Sequence, residues 1–253
     1  MTVSDARMPG SAVCVARVDL SAIRDNTAVL TRRIAPRRLA ADLAADGYGH
    51  GALATALAAS EGGAGLLVVS ELEDSRELRD SGIVIDVVAR RGLSSSGTER
   101  GSGEDEVYSA GAVLYGLVDD PELRSAMRVS ALVVGTKTIE AGEGVSYGYT
   151  YRAAARTNLA LVGIGYADGL DRIASNVGTL LLGGKPRKIA GRVAMNALVL
   201  DLGDDSASVG DEAVVFGDVR RGEPSALSWA AALGKSAAEV VSVFGQHLPR
   251  ISS

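Results

Sequence analysis

The side chains that could do chemistry in this chain are few and unevenly placed. Aromatic residues make up 4% of the sequence, yet seven are tyrosines and two are phenylalanines. That bias points to phenol chemistry or polar anchoring, with the strand preference of tyrosine as the competing cause. A phenol with a pKa near 10 is a poor base at neutral pH unless a cation or a desolvated donor stands beside it, and the sequence alone shows no such neighbour. His50 sits between glycines in Asp46-Gly47-Tyr48-Gly49-His50-Gly51, where an imidazole can shuttle protons or simply brace a turn. Cys14, the single cysteine, lies among Ala12, Val13, Val15 and Ala16; it has no internal disulfide partner and reads as a small buried hydrophobe. Asp168, in Tyr166-Ala167-Asp168-Gly169, has the setting of a turn aspartate that binds its own backbone. The four lysines, Lys137, Lys185, Lys188 and Lys235, all fall in the second half, and the first 136 residues use arginine alone.

The elements that must position these groups divide the chain in two. With 253 residues, 47% hydrophobic and 23% charged, the sequence has enough apolar material for one large domain or two modest ones. The net charge of -5 and the scatter of the basic residues give no footprint for nucleic acid. No stretch approaches the ~20 apolar residues of a membrane span, and residues 1 to 10 lack the apolar region of a signal peptide, so a cytoplasmic location is expected. Residues 12–18 predict a strand, and Asp19 opens a helix with Ile23, Thr27, Leu30 and Ile34 near the 3.6 period, ending at Pro36. A short run at 39–43, a helix at 52–60, a buried strand at 65–69, a helix capped by Ser70 and a strand at 83–88 continue the strand-helix alternation of a parallel α/β fold. Residues 90–106, rich in Ser, Gly and Glu, read as a flexible linker. A short strand at 111–117 and a helix start at Pro121 follow. From Arg128 onward the pattern becomes antiparallel β through 129–139, 158–163, a hairpin at 180–186, 187–193, 197–202 and 212–216, closed by helices at 225–233 and 236–243.

The passage Asp46-Gly47-Tyr48-Gly49-His50-Gly51 resembles the alanine racemase family, which has a lysine, one residue, then Asp-x-Tyr-Gly-His-Gly after its first barrel strand; Ala44 stands at the lysine position. Further blocks follow in family order: Val18 to Ile23, Leu114-Tyr115-Gly116-Leu117, Val145-Ser146-Tyr147-Gly148, Ile164 to Gly169, Gly191-Arg192-Val193 with Met195, and Leu248-Pro249-Arg250. The resemblance implies a (β/α)₈ barrel followed by a β-rich domain, in head-to-tail dimers. A full barrel takes eight strands and ~250 residues, and only equivalents of the first three strands and the last are found here. The fold expected is therefore α/β plus β. An incomplete, half TIM-like barrel at 11–125, with a flexible linker at 90–107, precedes a β-rich C-terminal domain at 126–253, with which the strand at 12–18 is able to pair. A half barrel exposes strand edges, so a homodimer is the expected partner state.

In the racemases the lysine forms an imine with pyridoxal phosphate, and the tyrosine of the Ser-Tyr-Gly motif serves the other face of the substrate. Tyr147 matches that tyrosine. Ser109 falls where an arginine approaches the pyridine nitrogen, Asn196 where an aspartate follows the motif's methionine, and Gln246 where a tyrosine contacts phosphate. These losses lead to an expectation of no cofactor and no metal. The expected function is a repurposed, cofactor-independent isomerase, lyase or cyclase on a small molecule, with natural-product biosynthesis as a setting. Tyr147 and Tyr166 would be catalytic, and Tyr48, Arg172, Arg192, Met195 and Asn196 would bind substrate. The alternatives are a pyridoxal-phosphate-dependent alanine racemase using another lysine, and a non-catalytic binding or scaffold protein. Lys137, Lys185 and Lys188 read as solvated surface charges.

Overall fold

The structure, a computed structural model, describes residues 12–89, 98–99 and 107–253. In chain order the elements are β1 (Cys14–Val18), α1 (Leu20–Ile34), β2 (Arg38–Asp42), α2 (Ala52–Glu61), β3 (Leu66–Val69), α3 (Leu72–Asp80), β4 (Asp86–Ala89), β5 (Thr98–Glu99), β6 (Val107–Ala110) and β7 (Met127–Ile139). There follow β8 (Gly144–Val145), β9 (Tyr151–Arg152), β10 (Thr157–Val162), β11 (Thr179–Leu182), β12 (Lys185–Lys188), β13 (Leu198–Gly203), β14 (Glu212–Phe216), α4 (Ala226–Leu233), α5 (Ala237–His247) and β15 (Arg250–Ser252). They form two compact units, one of residues 12–17 with 128–251, the other of 18–127 with the last two residues.

In the α/β unit, β4, β3, β2 and β6 lie side by side in that order, all parallel, and β5 adds antiparallel to β6. The sheet is open among the described residues, with β4 and β5 at its edges, as a half barrel requires. Helix α1 starts where the Asp19 carboxylate accepts from the Ala22 N–H at 3.0 Å, and its Ile23, Thr27, Leu30 and Ile34 are buried, which is the apolar face its sequence periodicity specified. Leu66 to Val69 are buried on both faces, as expected of a strand without alternation. Three expectations are corrected. The strand read at 111–117 lies earlier, at Val107–Ala110, and Ala112–Tyr115 is a 3₁₀ turn that buries Leu114 and Tyr115. No helix begins at Pro121: Leu123 N–H bonds Asp120 C=O in a turn. The strand read at 83–88 is shifted to Asp86–Ala89. The linker expected at 90–107 lies mostly outside the described residues; within it Thr98 and Glu99 pair with Tyr108 and Val107.

In the β unit one sheet runs β12-β11-β14-β7-β1-β15, and β10 links β7 to β13, both antiparallel. The β11–β12 hairpin turns on Gly183 and Gly184 at φ +61° and +72°, left-handed values at both central positions that a two-residue turn demands. Helix α5 carries a capping box in which Ser236 and Glu239 satisfy each other's backbone N–H groups. Cys14 is partly buried, and burial together with the neighbouring Asp168 carboxylate pushes its thiol up to about 12, so it is no nucleophile at neutral pH. Among the described residues no helix is long and apolar enough to cross a membrane, and no three His, Cys, Asp or Glu side chains gather to hold a metal.

Candidate functional site

In the α/β unit the motif residues form a tight loop at the C-terminal end of β2. Ala45, Asp46, Gly47 and Tyr48 have φ between 52° and 63°, a left-handed run that costs non-glycine residues roughly 1–2 kcal/mol each. Side chains from around the loop hold it. Asp42 accepts from the Ala44 N–H at 3.0 Å and from the Tyr48 hydroxyl at 3.1 Å, and Asp46 accepts from the Ala52 N–H at 2.7 Å. The buried Tyr115 hydroxyl donates to Asp42 C=O at 2.8 Å. His50 is buried, its Nδ1 lies 2.9 Å from Gly47 C=O, and its ring stacks on Tyr115 at 4.5 Å. Of the two sequence readings of His50, the geometry favours the brace. Burial, and after it the Asp42 carboxylate, raise the Tyr115 phenol well above its usual value, so Tyr115 is a neutral strut. Ser109 lies on β6 opposite Ala40.

In the β unit, Ser146-Tyr147-Gly148 leaves β8 as a short turn that holds Tyr147 73% exposed. The Ser146 hydroxyl donates to Arg192 C=O at 2.7 Å. A Cβ on Gly148 would sit 3.4 Å from Arg192 Nη1, so the guanidinium lies against the residue that follows Tyr147. The Arg192 guanidinium, 45 positions away in the chain, thus lies against the turn that carries Tyr147, a neighbour the sequence did not reveal. Tyr166 N–H donates to Ala194 C=O at 3.0 Å and Ala167 N–H to Met195 C=O at 2.9 Å, which sets the Tyr166 turn beside Met195 and Asn196. Close approach there requires Gly165, whose added Cβ would lie 2.3 Å from both carbonyl oxygens. Asp168 accepts from the Gly165 N–H at 2.8 Å, so it closes its own turn. Arg172 lies over the Tyr166 ring at 5.5 Å. Tyr147, Tyr166, Arg172, Arg192, Met195 and Asn196 therefore gather in this unit, whereas Tyr48 belongs to the other.

Lys137, read from the sequence as a solvated surface charge, lines a cavity in the structure. It projects from β7 opposite Leu159 of β10. With Tyr147 and Arg192 it lines a cavity of about 360 Å³ walled by Ile139, Val145, Leu159 and Leu198. The cross-strand register that puts Leu159 beside it is the signal, and register was not legible in one sequence. Lys137 remains a half-exposed side chain, with Glu143 at 4.0 Å.

The chain belongs to the alanine racemase family. The family models for the C-terminal and N-terminal domains of alanine racemase match residues 126–252 and 18–106. The alanine racemase of Thermobifida fusca is 44% identical over 151 residues, covering 58% of this chain and 40% of that protein. The chain thus spans about 40% of the length of that curated relative. Alanine racemase from D-cycloserine-producing Streptomyces lavendulae superposes with a TM-score of 0.85 at 28% identity, covering 96% of this chain and 97% of the other. An alanine racemase from Bartonella henselae with covalently bound pyridoxal phosphate shares the fold, with a TM-score of 0.80 at 19% identity and coverage of 96% and 100%.

These relatives overturn two expectations drawn from Ala44 and Ser109. Relatives named alanine racemase, and one structural neighbour described with covalently bound pyridoxal phosphate, stand against both the repurposed, cofactor-independent isomerase, lyase or cyclase and the expected absence of a cofactor. The loss of particular contacts at Ala44 and Ser109 does not extend to the whole site. Locally the mismatch stands. Ala44 offers a methyl where an amine would be needed, and the Tyr48 hydroxyl already binds Asp42 and abuts the backbone at Gly111, where a Cβ would lie 2.7 Å from it. The residues around position 44 do not fit a cofactor held covalently at that position.

Proposed function

We propose that the chain serves amino-acid racemisation, the reaction its relatives are named for, and that Tyr147 is the group it brings to the proton on the substrate Cα. The carrying observation is the turn at 146–148. It holds Tyr147 toward solvent, is pinned through Ser146 to the Arg192 backbone, and borders a cavity of substrate size. Pyridoxal phosphate, where bound, supplies the electron sink that acidifies that proton. The Tyr147 hydroxyl gives or takes the proton at Cα, Tyr166 is the second candidate for that role, and Arg172, Arg192, Met195 and Asn196 bind substrate. Since position 44 has no amine, the lysine to examine is Lys137, which shares a cavity with Tyr147. A second copy of the chain is the partner in this reading. It would cover the β4 edge, beside which Val84 is 95% exposed, and a monomer in sedimentation at micromolar concentration would refute it.

The test is exchange of the Cα proton of L-alanine in deuterated water with pyridoxal phosphate supplied, together with borohydride reduction and peptide mapping. Exchange with formation of D-alanine, lowered ~10²-fold in Tyr147→Phe, supports the reading. Its absence at saturating cofactor refutes it. The mapped lysine settles the amine independently of turnover.

A further inference from the structure

Beside the turn of Tyr147 lies a second cavity of about 410 Å³, lined by Thr150, Arg172, Ile173, Ser175, Asn176 and Arg192. Its frame is fixed by side chains that tie three chain segments together. The Asn176 carboxamide accepts from the Gly191 N–H at 2.7 Å and donates to the Thr150 hydroxyl at 3.3 Å. The Ser175 hydroxyl accepts from the Val193 N–H at 3.0 Å and donates to Arg172 C=O at 2.5 Å. Asn176 is held at φ +62°, a left-handed conformation that asparagine tolerates but does not prefer. The backbones that carry the two arginines are therefore set by bonds that do not involve the guanidinium groups.

Those groups are uncompensated. Other arginines of this unit meet acids: Arg128 binds Glu212 and Glu223, Arg187 binds Asp205, and Arg156 binds Glu140. The neighbouring Asp171 is engaged by Lys235 and the Ile173 N–H. Neither the Arg172 nor the Arg192 guanidinium has a carboxylate or hydrogen-bond partner among the described residues; Arg172 has only the Tyr166 ring. Two like charges facing one cavity on a fixed frame repel each other, and an anion that takes hydrogen bonds from both removes the repulsion. Planar guanidinium forks match the paired oxygens of phosphate, and a dianion answers both charges where a single carboxylate answers one.

We propose that the cavity between Arg172 and Arg192 binds a doubly charged oxyanion of the phosphate class, either free phosphate or the phosphate of a monoester. The site lies wholly within the β unit and uses the two arginines that the proposed function gives to substrate binding, but it requires no turnover. Its test reads binding, so it fails or stands separately from the proposed reaction.

The experiment titrates the whole chain with inorganic phosphate, phenyl phosphate and acetate, following ³¹P line width and calorimetric heat at constant ionic strength. Saturable phosphate binding at about millimolar or tighter is expected, weakened at least ~10-fold in Arg172→Met and in Arg192→Met. Arg156→Met, at an exposed arginine paired with Glu140, should bind as the parent does. Tighter binding of phenyl phosphate than of phosphate identifies a monoester site, and the reverse identifies free phosphate. Non-saturable binding overturns the proposal, as does equal loss in all three variants or equal affinity for acetate. Asn176→Gly, which keeps the left-handed backbone while cutting the frame, distinguishes loss of the site from loss of the fold. It should weaken phosphate binding with the far-ultraviolet dichroism unchanged, and unaltered affinity would show that the frame is not what sets the arginines.

Discussion

Tyr147 and Tyr151 lie four residues apart, and the proposed function gives them opposite work. Tyr147 is 73% exposed and its hydroxyl has no hydrogen-bond partner among the described residues, so Tyr147→Phe should leave stability within about 0.5 kcal/mol of the parent. The Tyr151 hydroxyl donates to the Asp201 carboxylate, which also accepts from the Thr157 hydroxyl and, at 3.0 Å, from the Gly203 N–H. Burial, and then that carboxylate, push the Tyr151 phenol up to about 12, so it is a donor throughout the neutral range. A hydrogen bond to a charged acceptor is worth about 1.5–3 kcal/mol. Two of the three donors to Asp201 survive in Tyr151→Phe, which places the expected loss near the lower end, about 1.5 kcal/mol. Urea unfolding of the two variants beside the parent reads this directly, as a lower midpoint at unchanged slope for Tyr151→Phe and no shift for Tyr147→Phe. Turnover should show the reverse order, with Tyr147→Phe slowed ~10²-fold and Tyr151→Phe within a few-fold. If Tyr147→Phe proves the more destabilising of the two, the exposed turn is a packing element and the catalytic assignment falls.

Asn26 is buried, donates to Leu114 C=O at 3.0 Å and Arg124 C=O at 2.8 Å, and accepts from the Arg124 N–H at 2.8 Å; Asn26→Leu should cost about 3 kcal/mol in urea unfolding. Hydrogen bonds from the Arg128 guanidinium hold the Glu212 carboxyl at about 2, below its usual 4.5. Because the folded value is the lower one, this stabilisation is complete above about pH 5 and is lost as pH falls towards 2. The Glu212 side chain is 40% exposed, so after solvent screening Glu212→Gln should remove about 1 kcal/mol at pH 7, and its unfolding curve should converge on the parent's in acid. Gly165→Ala would drive a methyl group into the carbonyls of Ala194 and Met195. It should detach the Tyr166 turn, seen as altered tyrosine fluorescence and impaired substrate affinity, and wild-type behaviour in both would refute the close approach.

Where the signal was local, the sequence was legible. The Asp19 cap, the apolar face of α1 and the unbroken Leu-Leu-Val-Val of β3 each depend on neighbours within a few positions, and each was readable. The strand misplaced at 111–117 shows the limit. Ala112 to Tyr115 is an apolar run that a strand or a buried turn can use equally. What decides is Gly116 at φ +67°, pressed so close to the chain at Arg124 that an added Cβ would lie 2.0 Å from its carbonyl oxygen. The candidate site divides in the same way. The turn-closing Asp168 was readable from its own tetrapeptide, whereas the Arg192 side chain beside Tyr147 and the Leu159 partner of Lys137 come from strand register and long-range packing.

The same distinction explains why Ala44 misled. Its side chain reports on one atom, the missing amine, and not on the rest of the site. The loop around it argues against extending that loss further. Ala45, Asp46 and Tyr48 sit at positive φ, and three such residues cost roughly 3 kcal/mol or more between them. A loop released from its role could relax to a cheaper conformation by giving up the bonds that enforce it. Here Asp42 still takes the Ala44 N–H and the Tyr48 hydroxyl, Tyr115 still bonds Asp42, and His50 is still stacked and buried. The enforcing bonds remain although the amine is gone. What Ala44 establishes is therefore narrow: this chain does not form a covalent bond at position 44, while the geometry that would present such a position is still maintained at a cost in strain.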